Sequence, residues 1–134
     1  MKDLIKLTII QKRNNLNEVF SSGDIGPGGA YHKYIIGRLP KIKISNGEAA
    51  FQKQENLAEI EFQKGPRNLE DSIAGVTEQD LLEIVRHRLS CFQSGEFSSR
   101  ENAIALTKIE EALLWLNKRI EDRAERNVLG KYEK

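Results

Sequence analysis

Hydrophobic and polar residues change their spacing twice along the chain. At the start the pattern is mixed. Ile5, Leu7 and Ile9 alternate as in a strand, whereas Leu16, Val19 and Phe20 fit one helical face, and a helix over residues 3–20 is the reading adopted. Gly23-Asp24-Ile25-Gly26-Pro27-Gly28-Gly29 follows, too rich in Gly and Pro for either regular structure, and reads as a loop. From there the period is two. Tyr31–Leu39 is expected as a strand with His32, Tyr34, Ile36 and Arg38 on one face, ended by Pro40. A second strand is expected over Lys41–Ser45. Asn46-Gly47 is a hairpin turn signal, and Ala49–Lys53 returns along it. In Ala58–Gln63 the apolar Ala58, Ile60 and Phe62 alternate with Glu59, Glu61 and Gln63.

At Thr77 the period becomes 3.6. Thr77 and Asp80 form a capping pair, after which Leu81, Leu82, Val85, Leu89 and Phe92 share a face until Ser94-Gly95 breaks it. Ser98 and Glu101 read as a second capping box. A long helix follows, its seam made of Leu106, Ile109, Leu113, Leu116 and Ile120, with Gly130 as its stop. The fold class expected is α+β. A small antiparallel sheet in the N-terminal half packs with a long C-terminal helical hairpin. The domain organisation expected is one domain over 1–134: an N-terminal segment 1–25, the sheet over 26–76 and the hairpin over 77–134.

Composition narrows the function classes. The chain has 134 residues, with 21 Lys+Arg against 20 Asp+Glu and a net charge of +1. Basic and acidic residues number 4 and 3 over 1–24, 7 and 6 over 25–76, and 10 and 11 over 77–134, so no segment is a basic arm. That argues against binding DNA by counterion release. The one cysteine, Cys91, excludes an internal disulfide and a Cys-based zinc site. No signal-peptide core and no bilayer-length apolar run is found, and a soluble cytosolic protein is expected.

A search for catalytic chemistry comes back empty. The Gly-rich loop lacks the Gly-Lys-Ser/Thr ending of a phosphate-cradling loop, Tyr31-His32-Lys33 following instead. His32 and His87 have no spaced metal-binding partner and read as surface or packing residues, with no metal expected. Glu110 and Glu111, adjacent on a helix, diverge by about 100° and cannot act as an acid/base pair. Cys91 reads as a buried structural thiol. More informative are the polar residues on the hairpin's apolar seam: Asn102 behind Leu106, and Arg123 and Asn127 beyond Ile120. Asn102 is either solvated at the helix start or placed beside Phe92, where an aromatic face and an amide suit a base. Arg119 sits one face over, with Ala112 and Trp115. It stands 17 residues from Asn102, about 25 Å along a helix. One nucleotide-sized ligand could meet both only if a second, antiparallel copy supplied one of them.

The stretch Phe92-Gln93-Ser94-Gly95-Glu96-Phe97-Ser98-Ser99-Arg100-Glu101-Asn102-Ala103, with Glu110-Glu111-Ala112-Leu113-Leu114-Trp115-Leu116 and Arg119 through Arg126, closely resembles the Thoeris anti-defence proteins of bacteriophages, first numbered type. These share a helical-hairpin domain with anti-CBASS cyclic-nucleotide sponges. The resemblance runs from about Gly26 to Lys134 and includes Phe62-Gln63-Lys64-Gly65-Pro66-Arg67-Asn68. It implies a non-enzymatic sponge without cofactor, acting in the cytoplasm of the infected host. Such a sponge binds a cyclic ADP-ribose isomer, glyco-cyclic ADP-ribose, and keeps it intact. Carried over by motif, Phe92 stacks on adenine, Asn102 hydrogen-bonds beside it, and Arg119 and Arg38 hold phosphates. For some members the resemblance implies a second site for cyclic di- and trinucleotides, matched here by Arg67 and Arg100. The assembly implied is a homodimer, with a trimer of dimers as the larger alternative. Two other classes stay open from sequence: a hydrolase of the same signal, and a purely structural helical interaction module.

Overall fold

The computed structural model describes residues 4–11, 16–38, 42–45, 48–51, 55–66, 68 and 70–125. The architecture is α+β, as the periods predict: strands in the N-terminal half, then two helices. Contacts divide the chain into two compact units, Met1–Lys64 and Gly65–Lys134.

The first unit is a four-stranded antiparallel sheet in the order β1 (Leu4–Lys6), β2 (Asn17–Ile25), β3 (Tyr31–Arg38) and β6 (Asn56–Glu61). A separate two-stranded ladder joins β4 (Ile42–Ser45) to β5 (Glu48–Phe51), with Ser45 opposite Glu48. That is the predicted hairpin, though its Asn46-Gly47 turn lies outside the described residues. Ile35 on β3 is the buried apolar centre of the sheet, opposite Phe20 on one side and Glu59 on the other. On the other face Tyr34 meets Phe62 edge to face, ring centroids 5.5 Å apart.

The helix expected over residues 3–20 is overturned. Leu4–Lys6 pairs with Phe20–Ser22, and Asn17–Ser22 pairs residue by residue with Lys33–Arg38. Leu16, Val19 and Phe20 have helical spacing by coincidence. Leu16 is exposed, and Val19 and Phe20 lie on opposite faces of β2. Ladders to the neighbouring strands satisfy the backbone here, which local periodicity does not reveal. The Gly-rich loop is also shorter than expected, because β2 runs on to Ile25 and only Pro27–Gly29 forms the turn. Gly23, at φ +87, takes up the register shift between Ser22 and Ile25, a conformation that a Cβ would strain.

The second unit is the hairpin of α1 (Glu78–Gln93) and α2 (Arg100–Glu125). The capping pair forms as predicted: the Asp80 N–H donates to Thr77 Oγ1 at 3.3 Å and the Thr77 N–H to Asp80 Oδ2 at 2.9 Å. Ser94 ends α1, its N–H turned back to the Ser90 and Cys91 carbonyls. The cap of α2 is one residue later than predicted. Ser99, not Ser98, accepts the Asn102 N–H on its Oγ at 3.0 Å, so Glu101 is not the reciprocal partner. The expected stop at Gly130 lies outside the described residues. Leu106, Ile109, Leu113, Leu116 and Ile120 are all half-buried on one face of α2, as the period requires, yet no residue of α1 is fully buried.

Candidate functional site

One chain reversal brings chemistry together at the closed end of the hairpin. The connector 94–99 is held by its own hydrogen bonds: the Ser99 N–H donates to Gln93 Oε1 at 2.9 Å, which ties the start of α2 to the end of α1. Ser99 then caps α2. That places Asn102 at the third helical position, where its side-chain Nδ2 donates to the Phe97 carbonyl at 3.4 Å. Phe97 in turn sets its ring edge-on against Phe92, 6.5 Å between centroids and 82° between planes.

Phe92 and Asn102 are therefore joined through Phe97. Both are half-buried, and the Phe97 ring stands perpendicular to the Phe92 ring. On one face lies the Arg88 guanidinium, Cζ 5.4 Å from the ring centroid. The result is an aromatic ring, an amide and a cation gathered on two helical turns. Such a set can hold a planar heterocycle and read its edge.

The other sequence-predicted residues lie elsewhere. Arg119 is exposed four to five turns further along α2, and its side chain has no ion pair or hydrogen bond among the described residues. One chain's turn and its own Arg119 do not meet on one small ligand. Arg38 belongs to the sheet unit, at the end of β3, and is already engaged: its Nη1 donates to Glu55 Oε1 at 2.9 Å. Arg100, the first residue of α2, is exposed and likewise unpaired among the described residues. Arg67 and Asn127 lie outside the described residues.

Sequence reasoning misplaced one residue and missed others. Cys91 is exposed rather than buried, its Sγ 3.8 Å from His87 Nε2 one turn earlier. The 3.6 period does not by itself say which side of α1 the second helix covers, and Cys91 is on the side left open. Arg88 was legible as the residue four before Phe92, a spacing that stacks side chains on one face. Phe97 and Gln93 act through the connector, which carries no periodic signal.

A groove of about 760 Å³ runs along the hairpin away from the turn, lined among others by Glu83, Arg86, Glu110, Leu113 and Asn117. Arg86 spans it: its Nε donates to Glu110 Oε2 at 2.9 Å and its Nη1 lies 3.4 Å from Glu83 Oε1. The hydrogen bond to Glu110 and the charges of Glu110 and Glu83 raise the guanidinium above its ordinary pKa. Its charge is thus fixed at any physiological pH, and the pair is a structural clasp between helices. Among the described residues, no cluster of three or more His, Cys, Asp or Glu side chains is arranged to hold a metal ion. No described helix is long and apolar enough to cross a membrane.

Residues 54–121 match the family model described as the Acb2/Tad1 hairpin domain. The match covers both helices of the hairpin and reaches back over β6 of the sheet unit. Thoeris anti-defense 1 of Bacillus phage SBSphiJ7 is 51% identical over 78 residues, which cover 58% of this chain and 54% of that protein. The chain spans about half the length of the curated relative it matches. The family match contains Phe92, Asn102, Arg119, Arg67 and Arg100, and leaves Arg38 outside it.

Proposed function

This chain belongs to the Acb2/Tad1 hairpin-domain family, and from that premise we propose that it is a phage anti-defence sponge: it sequesters a cyclic ADP-ribose isomer, glyco-cyclic ADP-ribose, without cleaving it. The name of its relative, Thoeris anti-defense 1, supports the role. The observation that carries the ligand class is the turn, where Phe92 offers a ring face and Asn102 is held beside it through Phe97.

In this reading Phe92 stacks on the adenine ring and Asn102 supplies a hydrogen bond near its edge. The diphosphate is held by guanidinium, which pairs with phosphate oxygens in a planar two-point contact. Arg119 is that residue, exposed and without an ion pair among the described residues. Because Asn102 and Arg119 stand about 25 Å apart on α2, the Arg119 that completes a site comes from a second copy. Half-buried apolar residues along both helices are suited to such an association. Arg38 is the second phosphate ligand, exchanging Glu55 for the ligand's charge, and Arg67 with Arg100 forms the separate site for cyclic di- and trinucleotides. The assembly is a homodimer, or three dimers where the second site operates, in the host cytoplasm.

Sequestration needs affinity without turnover, and a stacking ring with two-point guanidinium contacts supplies affinity. The test is calorimetric titration with purified glyco-cyclic ADP-ribose, followed by heat denaturation of the complex and recovery of the ligand. Saturable binding with intact ligand recovered is expected. Absence of heat at micromolar protein overturns the ligand, and recovery of a hydrolysed product overturns the sponge in favour of an enzyme.

A further inference from the structure

Two arginines sit two residues apart on α1 with opposite situations. Arg86 is held between Glu83 and Glu110. Arg88 is exposed, has no ion pair or hydrogen bond among the described residues, and rests its guanidinium over the Phe92 ring, 5.4 Å from the centroid. Phe97 stands perpendicular to that ring, 6.5 Å between centroids, whereas Arg88 lies over one of its faces. The guanidinium therefore stands on a surface where the ligand's base would stack.

We propose that Arg88 is a second stacking partner for the base, closing over it from the side opposite Phe92; this rests on the ligand reading given above. Geometry sets what must move. A base in contact with the ring on one side and the guanidinium on the other needs about 3.5 Å for each contact, about 7 Å in all. The guanidinium carbon stands 5.4 Å from the ring centroid, too close for insertion without movement, and Arg88 must withdraw by at least about 1.6 Å. A long exposed side chain does that by rotation about its own bonds, with no change in the helix. Lys cannot substitute fully, because only the planar guanidinium stacks on a heterocycle while keeping its charge. The same charge lies close to an adenine-linked diphosphate, which gives it a second attraction. Before binding, the contact with Phe92 shields the ring face from water; afterwards the base lies between the two groups.

The opposite possibility, that Arg88 merely plugs the face and is expelled, predicts the reverse sign. Calorimetry with glyco-cyclic ADP-ribose on the full chain, with Arg88→Ala, Arg88→Lys and Phe92→Ala, separates them. Arg88→Ala is expected to weaken binding about tenfold and Arg88→Lys by an intermediate factor. Far-ultraviolet circular dichroism should stay unchanged, since Arg88 is exposed. A structural role would not alter the ultraviolet difference spectrum of the bound adenine, whereas loss of a stacking partner reduces its hypochromism. Equal or tighter binding by Arg88→Ala overturns the inference, as does full restoration by Arg88→Lys, which would reduce the role to charge alone. If the unaltered chain gives no heat, the ligand reading falls and this inference with it. If the unaltered chain and Arg88→Ala bind alike, only this inference falls.

Discussion

Phe92 has neighbours of two kinds, an aromatic edge from Phe97 and a cation from Arg88, and the difference decides what it can still do. The perpendicular Phe97 ring fixes the orientation of Phe92, and the Arg88 guanidinium lies over a face. Stacking on an aromatic ring is worth about 1–3 kcal/mol per base, so Phe92→Ala should weaken ligand binding about tenfold to a hundredfold. Calorimetry measures the loss, and dichroism should show the helices intact. Wild-type affinity in that variant would remove the ring from the site. Cys91 gives a second check at this scale. Being exposed, it should react with a chromogenic disulfide reagent in the folded protein, one thiol per chain, at a rate that denaturant hardly changes. A thiol that reacts only after unfolding would restore the buried reading.

Among the elements, the helices were the more legible. Apolar spacing at three and four residues placed the seam of α2, and Thr77 with Asp80 marked the start of α1, because both signals are local. The strands that alternate, β3 and β6, were legible for the same reason. β1 and β2 were not, since what makes them strands is pairing with other segments, and Leu16, Val19 and Phe20 imitate a helical face. Two serines side by side concealed the cap of α2. The structure separates them: Ser99 Oγ accepts the Asn102 N–H and its own N–H is held by Gln93. Ser99→Ala should therefore cost about 1 kcal/mol in urea unfolding, and Ser98→Ala less than about 0.5 kcal/mol. The reverse order would return the cap to Ser98. Of the candidate site, Phe92, Asn102 and Arg119 could be singled out from residue type and face. Their joining through Phe97 and the placing of Arg88 depended on a connector without a period.

For the molecule as a whole, 21 basic against 20 acidic residues argues against a surface built for a long polyanion, but not against a ligand with two phosphates. A few placed guanidiniums suffice for that. Arg86 shows why counting charges is a poor guide, because Glu83 and Glu110 already balance its charge. The hairpin's apolar seam remains only half-buried within one chain, and light scattering should give a mass of two chains or a multiple of two. In the proposed site one ligand is held by two copies, Phe92 and Asn102 from the first and Arg119 from the second. The most direct test is to refold Phe92→Ala and Arg119→Ala chains together and titrate the mixture with glyco-cyclic ADP-ribose. Each variant alone should bind weakly, while random pairing in a two-fold dimer restores about one intact site in four at wild-type affinity. A mixture that binds no better than its two components would contradict the shared site.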